Sequence, residues 1–111
     1  MNPMYGMFYH LQPRQGQQQA VLDHLFRWEQ EHLPQVTGYV GGYVLEPPVK
    51  VLSAPGDILV IMVFDSQAAY TRHRDDPELD RWEQHLQDLL EHAPQWHEGE
   101  ITELFAEAHG L

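Results

Sequence analysis

The chain contains no cysteine. Disulfides, thiolate metal sites and a cysteine nucleophile are therefore excluded, and a reducing compartment, the cytoplasm, is the expected location. Basic residues are few: six Lys and Arg stand against seventeen Asp and Glu, a formal net charge of −11. So acidic a chain lacks the clustered cations that phosphate contacts need, which argues against nucleic acid and anionic membrane surfaces as partners. Long apolar runs are also missing. The longest, Ile58 to Phe64 (ILVIMVF), has seven residues, against about 20 for a membrane-spanning helix. The first residues, MNPMYGMFYHL, carry no basic segment followed by an apolar one, so no signal peptide is expected. No glycine-rich phosphate loop, His-Glu-x-x-His pair or G-x-S-x-G elbow occurs, and the eight histidines are scattered. Nucleotide binding, serine hydrolysis and a metal centre are not expected.

What is present is enough for a core. Hydrophobic residues make up 42% of 111 residues, which fits one packed domain spanning residues 1–111. Residues 4–11 (MYGMFYHL) read as a first strand with Met7, Tyr9 and Leu11 on one face and Gly6, Phe8 and His10 on the other. Residues 17–33 read as a helix along Val21, Leu22, Leu25, Phe26 and Leu33, stopped by Pro34. Residues 36–48 read as a strand whose Gly41-Gly42 pair suggests a bulge or a close backbone approach. Residues 58–64 show no polar alternation and read as a strand buried on both faces.

Asp65 or Ser66 then caps a short helix. Asp76 caps a second one with Pro77 at its first position, and the stripe Leu79, Trp82, Leu86, Leu89, Ala93 carries it to Pro94. Residues 99–106 (GEITELFA) read as the last strand. The order β-α-β-β-α-β is the split βαβ arrangement of ferredoxin-like α+β folds: a four-stranded antiparallel sheet with helices on one face. No helix is left for the other face, so a homodimer packed sheet against sheet is expected.

The first strand leading into a Pro/Gly turn and helix, the strand from Gly38 to Leu45 with its paired glycines, and the block Val63-Phe64-Asp65-Ser66-Gln67-Ala68-Ala69-Tyr70 together resemble the antibiotic biosynthesis monooxygenase domain of the dimeric α+β barrel superfamily. The segment PELDRWEQHLQDLLEHAPQWHEGEI is similar to that domain's ending. The resemblance implies a cavity between sheet and helices, and cofactor-independent oxygenation of a small aromatic or quinol-like molecule. A non-catalytic ligand-binding or stress-response dimer is the alternative. A haem-degrading branch uses an Asn on the first strand and a Trp and a His on the second helical segment. Tyr9, His73 and Glu83 fall at those positions, and all three differ, so the resemblance does not carry haem degradation.

Within that frame His73 is the expected base and Tyr9 the group that orients a substrate oxygen. Phe64, Tyr70, Trp82 and Met7 are the expected apolar wall, with Phe8 on the dimer side. Each has a structural alternative. Tyr9 and Trp82 would serve equally as core residues, His73 as an exposed histidine near a helix C-terminus, and Glu83 as a solvent-facing mid-helix residue. The arginines read as surface partners of nearby acids, Arg74 with Glu78 at i, i+4 spacing.

Overall fold

The computed structural model describes residues 3–46 and 57–102. Four strands, β1 (Tyr5–Leu11), β2 (Tyr39–Leu45), β3 (Ile58–Phe64) and β4 (Gln95–Glu100), form one antiparallel sheet in the order β2-β3-β1-β4. Three helices, α1 (Gln18–Glu31), α2 (Gln67–Arg74) and α3 (Pro77–Gln87), accompany it, and a short 3-10 turn, Leu33–Gln35, follows α1. This is the ferredoxin-like α+β architecture, with the second helical segment broken in two at Asp76-Pro77.

The break is written in the caps. Ser66 opens α2 by accepting from the Ala69 backbone N–H at 3.1 Å, and Asp76 opens α3 by accepting from that of Glu78 at 2.9 Å. Pro77 takes the first helical position, where no N–H is needed. Gly38 makes the turn into β2 at φ +90, and a Cβ there would lie 2.5 Å from that of Ala69. Only glycine fits both the left-handed backbone and the close approach of α2.

Period-two alternation sorts the sheet. Tyr5, Met7, Tyr9, Leu11 and Ile58, Val60, Met62, Phe64 are buried against the helices together with Val21, Leu22, Trp28, Leu79 and Leu86. The opposite face is open in the single chain. Ile61 and Phe8 are exposed there and Leu59 and Val63 half-buried, so β3 has one buried face and one open face rather than two buried ones.

Three boundaries differ from the sequence reading. The first helix ends at Glu31, and Pro34 sits within the 3-10 turn. Helix α3 ends at Gln87 instead of reaching Ala93. Beyond it, Leu89 and Glu91 exchange backbone hydrogen bonds with Arg14 and Gln12 at 2.9 and 2.8 Å, a pairing a helix would forbid. The last strand is Gln95–Glu100, pairing with β1, and the expected 99–106 segment lies mostly outside the described residues. Strand β4 has one large apolar residue, Trp96; its backbone pairing at a sheet edge places it, not an apolar pattern. The register of β2 shifts between Tyr39 and Gly41, the bulge the glycine pair suggested.

Candidate functional site

A cavity of about 660 Å³ lies between the sheet and helices α1 and α3, within the usual range for small-molecule sites. Its wall is mostly apolar and aromatic: Trp28, Leu25, Val44, Val60, Met62, Leu79, Trp82 and Leu86. The indoles of Trp28 and Trp82 meet at 4.7 Å, tilted by 58°. Trp28 is buried because it lies on the row Val21, Leu25, Trp28 that α1 turns inward. Phe26, expected on the buried row from its spacing, is exposed.

Polar groups gather where β1 meets α2 and α3. The Tyr9 hydroxyl donates to Glu83 Oε2 at 2.8 Å. One Arg74 guanidinium nitrogen donates to the Tyr9 oxygen at 3.2 Å and to the same Glu83 oxygen at 2.8 Å. The guanidinium also lies over the Trp96 ring, 5.2 Å from its centre. Burial and the adjacent Glu83 carboxylate push the Tyr9 pKa far up, with Arg74 opposing. The hydroxyl therefore stays protonated and acts as a donor.

His24, on α1, also lines the cavity. Its Nε2 sits 2.9 Å from the Trp82 carbonyl oxygen. A carbonyl only accepts, so Nε2 carries the proton and Nδ1 is left as the basic nitrogen. Burial lowers its pKa from 6.5, the hydrogen bond to Trp82 opposing and His85 and Arg27 assisting, so the imidazole is neutral at pH 7.

Of the six residues singled out from sequence, Tyr9 and Trp82 line the cavity. Met7, Phe64, Tyr70 and His73 are buried in the core beside it. The Tyr70 hydroxyl donates to Glu98 Oε2 at 2.5 Å, and that of Tyr5 to Oε1 at 2.9 Å. His73 is only 2% exposed, packed against Phe64 and Trp28 with ring centres 5.1 and 6.1 Å away. Neither ring nitrogen has a hydrogen-bond partner. Burial, assisted by Arg74 and His32 and opposed by Asp76 and Glu83, lowers its pKa to about 4. Arg74 pairs with Glu83, not Glu78, which is taken by Arg81. Among the described residues no group of three or more His, Asp or Glu could hold a metal ion, and no helix is long and apolar enough to cross a membrane.

The family model for antibiotic biosynthesis monooxygenases matches residues 4–85. The chain belongs to that family. Solved structures similar to it include SnoaB, a cofactor-independent oxygenase from Streptomyces nogalater, at 14% identity and TM-score 0.72, covering 96% of this chain and 98% of that one. NE2512, a protein of unknown function from Nitrosomonas europaea, is 19% identical with TM-score 0.72, covering 94% and 96%. Rv0793 from Mycobacterium tuberculosis is 14% identical with TM-score 0.73, covering 92% and 99%. At these identities the likeness is one of fold. No curated protein sequence is significantly similar to the chain. Family membership fits the described order of strands and helices, and the site residues rest on the geometry alone.

Proposed function

We propose that this antibiotic biosynthesis monooxygenase family member is a cofactor-independent monooxygenase acting on a small aromatic or quinol-like substrate held in the cavity. The observation that carries the reading is the Tyr9 hydroxyl, fixed by Glu83 and Arg74 at the edge of an otherwise aromatic pocket. A substrate oxygen placed there accepts from Tyr9 once the hydroxyl turns its one proton away from Glu83, and Arg74 supplies positive charge as that oxygen becomes an oxyanion. Glu83 positions both. The base in this proposal is His24, because it lines the cavity and His73 does not.

The chemistry balances without a further reductant. His24 Nδ1 takes a proton from an acidic ring methylene. The carbanion passes an electron to dioxygen, and the radical pair joins as a peroxide, which recovers the proton from His24. A second C–H proton then goes to His24 as the O–O bond breaks. The departing hydroxide takes that proton and leaves as water, and the ring keeps one oxygen as a ketone. The four electrons lost by the methylene carbon are those dioxygen gains.

A proton acceptor with a lowered pKa sets the pH profile. kcat/KM should rise with pH through a value below 6.5 and be flat at neutrality. His24→Ala should lose both the activity and the inflection. A profile unchanged in His24→Ala would remove His24 from the mechanism.

Homodimerisation through the open sheet face belongs to the same proposal. The register places Gly6, Phe8, His10, Leu59, Ile61, Val63, Gly41, Tyr43, Leu45, Gln95, His97 and Gly99 on that face. None is acidic, in a chain with seventeen acidic residues. A second reading, a ligand-binding dimer without catalysis, draws on the same network: the Tyr9 hydroxyl already has both a donor and an acceptor partner.

A further inference from the structure

Strand β4 lies beyond the residues that the family model matches, which end at residue 85. It is a polar strand whose one large apolar side chain, Trp96, is 46% exposed. A single half-exposed tryptophan is ordinary in itself. What sets Trp96 apart is where its contacts go. It stands across from Tyr9 in the register of β1 and β4, so the two side chains share the helix-facing side of the sheet. Its ring meets that of Tyr9 edge-on at 6.3 Å and 64°. Its face carries the Arg74 guanidinium at 5.2 Å. No β4 residue lines the cavity, and β4 is the strand beyond β1 in the sheet. Trp96 therefore backs the polar group from the side away from the cavity.

The next residue on that face of β4, Glu98, extends the contact. It accepts from the Tyr70 hydroxyl at 2.5 Å and from that of Tyr5 at 2.9 Å. Tyr70 and Arg74 lie one turn apart on α2, on one face of the helix. Neighbouring side chains of β4 thus meet neighbouring side chains of α2, Glu98 with Tyr70 and Trp96 with Arg74. Arg74 has need of the second contact. It is the last residue of α2, and one nitrogen makes both of its bonds, to Tyr9 and to Glu83. Glu78, at i, i+4 spacing, is a competing carboxylate. A flat aromatic face beneath the guanidinium restrains its plane as well as attracting its charge.

We propose that Trp96 is a positioning residue of the site: its indole face fixes the Arg74 guanidinium against Tyr9, so that the positive charge is aimed at an oxygen bound by the Tyr9 hydroxyl. The inference rests on the reading of Tyr9, Arg74 and Glu83 as the place where a substrate oxygen binds, and adds a residue that never touches the substrate. Without the indole, Arg74 turns toward Glu78 and solvent, and Glu83 is left as the nearest charge. An oxyanion at Tyr9 is then disfavoured, while a neutral ring in the cavity is held as before.

2-Naphthol tests this, titrated against the full chain without dioxygen so that it is not consumed. Its absorption distinguishes phenol from phenolate, and its pKa when bound reports the charge at its oxygen. Trp96→Leu keeps an apolar side chain and removes the aromatic face. It should raise the bound pKa by about one unit relative to wild type and leave the affinity for neutral naphthol within about threefold. Trp96→Gln, a second variant without an aromatic face, should do the same. Arg74→Met should give a similar rise, and Trp96→Leu added to it no further one, because both remove one interaction. Trp96→Phe keeps an aromatic face and should stay near wild type. Circular dichroism checks that each variant is folded. A bound pKa unchanged in Trp96→Leu and Trp96→Gln, or rises that add in the double variant, overturns the positioning role while the binding site stands. A wild type that binds no naphthol overturns the reading of the site and the role of Trp96 with it.

Discussion

Tyr9 is the residue on which sequence and structure meet. Its place on a strand alternating Met7, Tyr9, Leu11 against Phe8 and His10 was enough to aim it at the helices. Its partners were less legible. Glu83 and Arg74 come from two helices broken at Asp76-Pro77, and local spacing offered Arg74 a nearer partner in Glu78. From sequence His73 is the expected base, with an exposed histidine at a helix end as the structural alternative. It is buried because α2 turns it toward Phe64 and Trp28, a contact no local pattern signals. In kinetic terms, Tyr9→Phe keeps the ring and removes the oxyanion donor, so kcat should fall about a hundredfold with little change in stability.

His73 also makes a stability prediction. With a folded pKa near 4 against 6.5 when unfolded, it stays neutral in the native state while the unfolded chain takes up a proton. Its contribution is intact above about pH 6.5 and is lost as pH falls toward 4, by about 3 kcal/mol in all. Urea titrations at several pH values should show that slope in the wild type and a shallower one in His73→Leu. Equal slopes would mean that His73 does not govern acid sensitivity.

At the scale of elements, caps and breakers were readable because they are local chemistry: Ser66, Asp76 and Pro77 each do what their side chains do in most helices. Strand β4 was misplaced for the opposite reason. QWHEGE has almost no apolar signal, and its place is fixed by hydrogen bonds to β1, which are long-range. The sequence draws helix α3 too long because Leu89 and Ala93 continue its stripe, whereas the backbone of Leu89 and Glu91 serves Arg14 and Gln12. Gly38 tests how tightly α2 is held against the sheet. Gly38→Ala forces a side chain onto a left-handed backbone and against Ala69, and should cost about 2–4 kcal/mol by chemical denaturation. A loss below about 0.5 kcal/mol, the level of a neutral surface change, would mean the turn relaxes freely.

At the scale of the whole molecule, charge and shape divide the work. Acidic residues cover the helical side and β4's inner positions, while the open sheet face keeps apolar groups and two histidines, His10 and His97. A stable pair of subunits needs roughly 800 Å² from each partner, which the proposed dimer would draw from the open sheet face. Phe8→Lys puts a charge at the centre of that face. Light scattering should show a dimer for the wild type and a monomer for the variant; a wild-type monomer at micromolar concentration would contradict the assembly. The fold class was readable from the order of elements, and the open face from the missing third layer. The place of the cavity followed from the family resemblance alone, and its size and lining did not follow from the sequence, because they depend on how far α1 and α3 stand from the sheet.

Dioxygen labelling tests the central claim most directly. Chelator-treated, flavin-free protein would be given an anthrone or a naphthohydroquinone under isotopically labelled dioxygen, beside Tyr9→Phe and His24→Ala. The account predicts, from the anthrone, a quinone carrying one labelled oxygen, formed well above the protein-free rate by the wild type and near that rate by both variants. Product formation at the protein-free rate, or equal rates in all three proteins, would contradict it.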